Sequence, residues 1–252
     1  MPRFSANLGF LWAELPLPQA IRAAAKAGFD AVECHWPFDH DPGAVRAALT
    51  EAGLPMLGLN TLRGKPGENG LSALPGREAE ARAEIDRALD YAAATGCGAV
   101  HVMAGFAQGA DAASTFNDNL RYACERAADR RIVILIEPLN HHDAPGYFLR
   151  DATQAAGIIA ALDRPNLRLM FDCYHLQIMQ GDLTRRLRDL LPIIGHIQFA
   201  AVPDRGAPDH GELDYRHIFA AIDAMGWDRP LGAEYKPGGA TEPTLGWMKT
   251  LR

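Results

Sequence analysis

Apolar residues along this chain come in short unbroken runs, separated by longer stretches of helical character. Ile132–Ile136 is one such run: five aliphatic residues without a polar interruption, followed by Glu137 and Pro138. A strand with no alternation has to be covered on both faces, as in a parallel sheet. Pro138 ends the ladder because it has no N–H to give. The same reading places strands at Phe4–Phe10, Ala31–Cys34, Leu54–Asn60, Ala99–Met103, Ile132–Glu137, Leu167–Asp172, Ile193–Phe199 and Leu231–Glu234. Between them it predicts helices over Pro18–Ala27, Val45–Ala52, Arg77–Ala94, Thr115–Ala128, Ala152–Leu162, Leu183–Leu190 and Tyr215–Met225, with a last one over Thr241–Leu251. Gly28, Gly53 and Gly96 stand where helices end in the left-handed conformation. Asp182 is placed to cap the helix that follows it. Thr61–Pro75, with Gly64, Gly67 and Gly70, is longer than a plain connection and reads as a lid or substrate loop.

Eight strand–helix repeats in 252 residues fit a closed (β/α)8 TIM barrel, a single domain over residues 1–252. No G-x-G-x-x-G follows the first strand, which removes the simplest dinucleotide-binding alternative. No linker, composition break or solenoid repeat divides the chain. Composition narrows the function classes: 48% apolar residues supply a sizeable core, and a net charge of -6 weighs against a nucleic-acid or anionic-membrane surface. Cys34, Cys97, Cys124 and Cys173 are scattered without C-x-x-C spacing, so neither a zinc site nor a disulfide framework is expected. The opening residues lack a signal-peptide core, and no apolar run approaches the ~20 residues of a membrane span. The expectation is a soluble cytoplasmic protein with no nucleic-acid or membrane partner, its assembly into a homo-oligomer left open.

The chemistry lies where the runs stop. Strand five exits on Glu137, strand six on Asp172, strand seven near Gln198 and strand eight on Glu234. In a parallel barrel these positions converge on the carboxyl-end mouth, where active sites are built. Carboxylates brought that close repel unless they take up protons or share a cation. All-oxygen ligation by Glu137, Asp172, Gln198 and Glu234 suits a hard divalent metal, Mg2+ or Mn2+, better than zinc. In Gly195-His196-Ile197-Gln198 the period of two puts His196 on the same face, as an alternative ligand or as an orienting group. His175, three residues past Asp172, is a candidate for the same cavity. His101, inside strand four, is either a substrate donor or a barrel-core histidine. Arg205 would suit a substrate carboxylate, with Arg63, Lys65 and Lys236 as further basic candidates. Asn7, Trp12, Glu33 and Asn60 are placed as pocket-wall residues, and His141-His142-Asp143 as solvated loop polarity.

Several of these stretches occur together in one family. Ile136-Glu137-Pro138-Leu139-Asn140, Phe171-Asp172-x-Tyr174-His175, Gly195-His196-Ile197-Gln198, Pro203-Asp204-Arg205 and Gly232-Ala233-Glu234-Tyr235 resemble hydroxypyruvate isomerase, of the xylose-isomerase-like barrels. Gly70–Glu78 and Tyr235–Glu242 lean toward the related 2-oxo-tetronate isomerase. Cys34-His35-Trp36 and Gly206-Ala207-Pro208-Asp209-His210 depart from the hydroxypyruvate-isomerase pattern, which bears on the substrate rather than on the chemistry. The resemblance implies a metal held by Glu137, Asp172, Gln198 and Glu234, with Glu137 and Glu234 as the catalytic acid/base pair. His175, Arg205, His101, Asn60 and Asn7 would then contact a small keto or sugar acid. The implied reaction interconverts hydroxypyruvate and tartronate semialdehyde through an enediolate. The alternatives are a 2-oxo-tetronate isomerase, a ketose 3-epimerase, a metal-dependent apurinic endonuclease and a non-catalytic sugar-acid-binding barrel.

Overall fold

Unbroken apolar runs demand cover on both sides, and the strands have it: nearly every strand residue is buried. The strands are β1 Phe4–Asn7, β2 Ala31–Glu33, β3 Leu59–Asn60, β4 Ala99–His101, β5 Val133–Ile136, β6 Leu167–Asp172, β7 Ile194–Phe199 and β8 Leu231–Ala233. All pair in parallel, in the order β2-β1-β8-β7-β6-β5-β4-β3. Backbone bonds between the two ends close the ring: Val32 N–H to Pro55 O (3.0 Å), Leu57 N–H to Val32 O (2.8 Å) and Asn60 N–H to His35 O (2.8 Å). This computed structural model describes residues 1–251. Arg252, the last residue of the expected 1–252 domain, lies outside the described residues.

The helices are α1 Leu17–Ala27, α2 Pro42–Ala52, α3 Glu78–Thr95, α4 Gly109–Ala128, α5 Ala152–Leu162, α6 Cys173–Met179, α7 Leu183–Leu190, α8 Tyr215–Ala224 and α9 Trp247–Thr250. Their ends follow local chemistry. Asp41 and Asp151 accept N–H bonds from Ala44 and Gln154 to open α2 and α5. Gly28, Gly53 and Gly96 close α1, α2 and α3 with positive φ.

The structure departs from the expected boundaries at several places: β4 ends at His101, α2 begins at Pro42, α6 is an additional helix, and five further differences have local causes. β3 keeps only Leu59–Asn60, because Pro55 lacks a ladder donor and the preceding residues follow β2 by isolated bonds. β1 stops at Asn7, where the chain turns. α4 begins at Gly109, since Ala110, Ala112 and Ala113 extend it toward its amino end. Asp182 does not cap α7; it sits at φ 53° and its carboxylate lies 3.4 Å from Arg185 instead. The expected Thr241–Leu251 helix is a 3-10 turn at Glu242–Thr244 and the single turn of α9.

Inside the ring, Ala99, Leu135 and Met170 form a small apolar cluster separate from the main core. Side chains two residues further along a strand point the same way. His101, Glu137 and Asp172 therefore stand one pleat above this floor, facing the mouth. Outside the ring an aromatic cluster fastens α8 and α9 to β1 and β7. Its ring centroids are 4.9 Å apart for Phe4–Trp247, 4.9 Å for Phe199–Phe219 and 5.8 Å for Phe4–Phe199. Such pairs add ~0.5–1.5 kcal/mol each beyond their buried area.

Candidate active site

Glu137 and Glu234 are the first residues past β5 and β8, Asp172 is the last residue of β6, and Gln198 lies opposite it in β7. All four side chains are buried. Each is oriented by what its other atoms do. Oδ1 of Asp172 accepts the Tyr174 N–H at 2.8 Å, capping α6, which leaves Oδ2 without a partner. Nε2 of Gln198 donates to Glu33 Oε1 at 2.7 Å, which leaves its Oε1 likewise unpartnered. Glu137 Oε1 is a third buried acceptor with no donor. One oxygen each from Glu137, Asp172 and Glu234 and one nitrogen of His175 lie within 4.8 Å of one another.

A buried acceptor left without a donor costs about 1–3 kcal/mol, and Glu137 Oε1 and Asp172 Oδ2 both face His175 Nε2 in this cluster, so they mark a place built for something else. Burial and then the charges of Glu234 and Asp172 push Glu137 well above the usual carboxylate range. Burial and Glu234 push Asp172 up to about 8. A divalent cation among these oxygens removes both the repulsion and the orphaned acceptors, so this donor set fits one. His175 fits less well as a ligand. Its Nδ1 accepts from the backbone N–H of Asn140 at 3.0 Å and from that residue's side-chain amide at 2.8 Å. Burial holds the ring neutral, well below its ordinary pKa, so the single proton sits on Nε2. That N–H is 3.6 Å from Asp172 Oδ2 and 3.8 Å from Glu137 Oε1. His175 is therefore a donor aimed into the cluster.

Glu234 differs from its neighbours. Burial alone would raise its pKa, but Arg205 and His35 outweigh that and hold it below the usual carboxylate range. Arg205 binds Glu234 Oε2 directly and lies 3.8 Å from Asp172 and 3.4 Å from Asp143. Phe10 and Tyr174 flank its guanidinium, each ring centroid 5.0 Å away. Burial lowers the Arg205 pKa, yet Glu234, Asp172, Glu137 and Asp143 together raise it, so its charge is permanent. Its backbone is left-handed, φ 57°, an arrangement that costs a non-glycine residue roughly 1–2 kcal/mol. Bonds from Arg205 N–H to Ala201 O and from Lys236 N–H to Arg205 O hold it there. On the other oxygen of Glu234, Asn7 donates at 3.0 Å and His35 Nε2 at 2.8 Å. His35 lies so close over Gly9 that a Cβ there would be 2.1 Å from its Nδ1.

These groups surround a cavity that opens to solvent at the barrel mouth. Asn60, His101, His175 and Arg205 line it together with Glu137 and Glu234. His101 is fully buried, and burial drives its pKa down to about 3, so it stays neutral. Asn7 sits below, bridging Glu33 and Glu234. His196 does not join the cluster; its Nε2 is 2.6 Å from Glu33 Oε2 and orients that carboxylate. Trp12 is not a wall residue: it packs against Phe29 in the core, its indole N–H on Glu242. His141 and His142 stack on each other in the exposed loop, while Asp143 beside them turns inward to Arg205. The sequence reading assigns no role to His35, Trp36 or Asn69 of this cavity, and it places Asp143 in solvated loop polarity. The loop Thr61–Pro75 folds over the rim and is stitched to the end of β4 by Thr61 N–H to His101 O and Ala73 N–H to Ala104 O.

The sequence profile of the family described as xylose isomerase-like TIM barrel matches residues 21–251. This chain belongs to that family. Within the xylose isomerase-like barrels, a 2-oxo-tetronate isomerase of Cupriavidus necator is 43% identical over 99% of this chain and 98% of its own length. A mouse protein provisionally named hydroxypyruvate isomerase is 43% identical, over 98% of this chain and 94% of its own. A crystal structure titled AP endonuclease, family 2, from Brucella melitensis superimposes with a TM-score of 0.95 at 40% identity, covering both chains completely. The chain is accordingly an enzyme of the isomerase class, of the hydroxypyruvate and 2-oxo-tetronate type. No helix among the described residues is long and apolar enough to cross a membrane.

Proposed function

We propose that this enzyme is a divalent-metal-dependent isomerase that moves a carbonyl along a short 2-oxo acid by one carbon. Hydroxypyruvate and tartronate semialdehyde are the first substrate pair, and a four-carbon 2-oxo-tetronate is the alternative. The observation that carries this reading is the meeting of Glu137 and Glu234, from strands β5 and β8, with their oxygens within 4.8 Å in one buried cavity. Carbonyl migration needs a C–H proton removed next to a carbonyl and a proton returned at the neighbouring carbon, through an enediolate. Two carboxylates facing the same substrate can do both, exchanging roles with the direction of reaction. Glu137, Asp172, Gln198 and Glu234 would hold Mg2+ or Mn2+. When bound, the metal supplies positive charge for the oxygens on which the enediolate builds. The Nε2–H of His175 and the guanidinium of Arg205 provide fixed donors facing the same space. His101, kept neutral by burial, adds a polar wall without a charge.

The Brucella protein's title brings the apurinic-endonuclease reading with it. Against that reading stand the net charge of -6 and a single four-residue cluster of metal-type side chains among the described residues. A DNA backbone calls for a basic footprint. The deciding experiment is a product-resolved NMR assay in D2O of the metal-loaded protein with hydroxypyruvate, a 2-oxo-tetronate and free ketoses, run beside a duplex carrying an abasic site. Isomerised product with deuterium at the carbon that takes up the returned proton is expected. Cleavage of the duplex without keto-acid turnover would establish the nuclease instead, and binding without exchange a non-catalytic barrel.

A further inference from the structure

Two guanidiniums line the cavity, and their surroundings differ. Arg205 is engaged by Glu234, Asp172 and Asp143. Arg63 has no carboxylate within ion-pair distance among the described residues. It is nevertheless fixed. Its Cζ lies 4.5 Å from the centroid of the Trp36 ring, and its Nε donates to Asn69 Oδ1 at 2.9 Å. Its carbonyl accepts the Gly70 N–H at 2.8 Å, and Trp36 is itself pinned by its indole N–H to Thr61 O at 3.0 Å. These contacts occupy Nε and one face of the guanidinium. They leave the two terminal nitrogens, the fork that matches a carboxylate, without an acceptor among the described residues. Trp36, Asn69 and Arg63 all border the same cavity as Glu137 and Glu234.

Surface arginines are ordinarily free to sample solvent, and holding one against an aromatic ring and an amide costs side-chain entropy. Here that ordering brings a positive charge to the rim of the cavity and gives it no protein anion. Burial of the guanidinium and then the charge of Arg205 lower the Arg63 pKa, as expected of two cations facing a common space. An anion arriving in the cavity relieves that repulsion. Arg205 cannot take the role as readily, because binding there competes with three carboxylates already in place.

We infer that Arg63 receives the carboxylate of the substrate at the rim of the cavity, and so makes the enzyme select short 2-oxo and hydroxy acids over neutral ketoses of the same length. The inference rests on the isomerase reading for the reacting end of the substrate and adds the residue that recognises its other end. Trp36 and Asn69 act through Arg63 as its platform and its brace.

The test compares wild type, Arg63→Met and Arg63→Lys as full-length, metal-loaded protein. Methionine keeps an apolar contact on Trp36 and removes the charge, whereas lysine keeps the charge and removes the fork. Calorimetric titration with D-glycerate, a non-isomerising acid, and with glycerol, its neutral counterpart, reads binding without turnover. Rates with hydroxypyruvate and dihydroxyacetone read selectivity. Arg63→Met is expected to weaken glycerate binding and raise the KM for hydroxypyruvate by roughly 10–100-fold, the range for a lost hydrogen bond to a charged group. The kcat, glycerol binding, metal content and Tm should stay close to wild type, with Arg63→Lys between. If wild type prefers glycerate to glycerol and Arg63→Met binds glycerate equally well, Arg63 is not the anchor and the isomerase reading survives. If wild type itself treats the two ligands alike, or turns over only dihydroxyacetone, the 2-oxo-acid reading falls and takes the role of Arg63 with it.

Discussion

β1 to β4 bring Asn7, Glu33, Asn60 and His101 to the mouth of the barrel, whereas β5 to β8 bring Glu137, Asp172, Gln198 and Glu234. Both halves bring buried carboxylates to the mouth, and Glu33 of the first differs sharply from Glu137 and Asp172 of the second. Glu33 is a buried carboxylate that is saturated with partners: Asn7 and Gln198 donate to Oε1, and His196 Nε2 lies 2.6 Å from Oε2. Glu137 and Asp172 are equally buried, yet Glu137 Oε1 and Asp172 Oδ2 have no donor within hydrogen-bond distance. A carboxylate whose lone pairs are used up is part of the scaffold. One that is desolvated and left open is waiting for a ligand, because nothing else in the protein offsets its burial. The first half thus aims the groups of the second.

The strongest way to break this comparison is to disable the proposed acid/base pair, of which Glu137 keeps an open oxygen and Glu234 is held by Asn7, His35 and Arg205. Glu234→Gln and Glu137→Gln keep a carbonyl oxygen and nearly the same shape but no useful basicity. Each is expected to retain the fold and much of the metal and to lower isomerisation by ~10²–10⁴-fold. The double variant should be little worse than either single one, since both serve one reaction path. Deuterium incorporation from D2O, measured beside metal content, checks this; a Glu234→Gln protein that turns over at the wild-type rate would make Glu234 a ligand only.

A smaller effect is expected from the saturated carboxylate. Glu33→Leu removes the acceptor that orients Gln198 and His196, so metal affinity should fall by ~10–100-fold, as for other outer partners of ligands. Raising the metal concentration should then restore kcat, which distinguishes an aiming role from a chemical one. Failure of excess metal to rescue the rate would place Glu33 in the reaction itself.

The third expectation concerns pH. Asp172 has its pKa raised to about 8 in the metal-free protein, so below that pH a metal must displace a proton to bind. Affinity should therefore rise as pH goes from 6 to 8, by up to about tenfold per unit for each proton released. Calorimetry in buffers of different ionisation enthalpy would show the released proton directly. Affinity independent of pH across this range would mean that the cation binds elsewhere.

The mildest change belongs to the first half again. His35→Leu takes one donor from Glu234 and leaves those of Asn7 and Arg205. Losing a partner that favours the ionised form lets the Glu234 pKa climb. The acid limb of the pH–rate profile should move to higher pH while kcat at its optimum changes by only about 5-fold, the scale of one hydrogen bond. A limb that stays in place would show that His35 contributes packing alone.

The uneven legibility of the sequence follows the same division. Glu137, Asp172 and Glu234 could be read because each ends an apolar run, and the pleat of a buried strand fixes which way the next residue points. Gln198 is legible from its place near the end of strand seven, with His196 on the same face by the period of two; the structure puts both side chains on Glu33. The (β/α)8 order was equally plain, since eight runs buried on both faces admit few other packings. The misplacements lie in loops and short elements. Trp12 sits just past β1, where the chain turns at φ 50° and carries its ring into the core. α6 is a seven-residue helix whose cap is Asp172 itself, too short for a period to declare. His35 and Asp143 reach the cavity through loop geometry, which no run of residues encodes.

The contact between Gly9 and His35 ties two distant positions of the chain into one heritable unit. With this histidine in place, a side chain at position 9 has to displace the ring, for its Cβ would stand 2.1 Å from Nδ1. With a smaller residue at 35, position 9 becomes free to vary. Replacement at 35 first avoids the clash, whereas the reverse order passes through an intermediate in which the ring is driven off Glu234. Ancestral or combinatorial libraries of this enzyme should show the pair moving together, with the order of the two steps biased by a single steric clash.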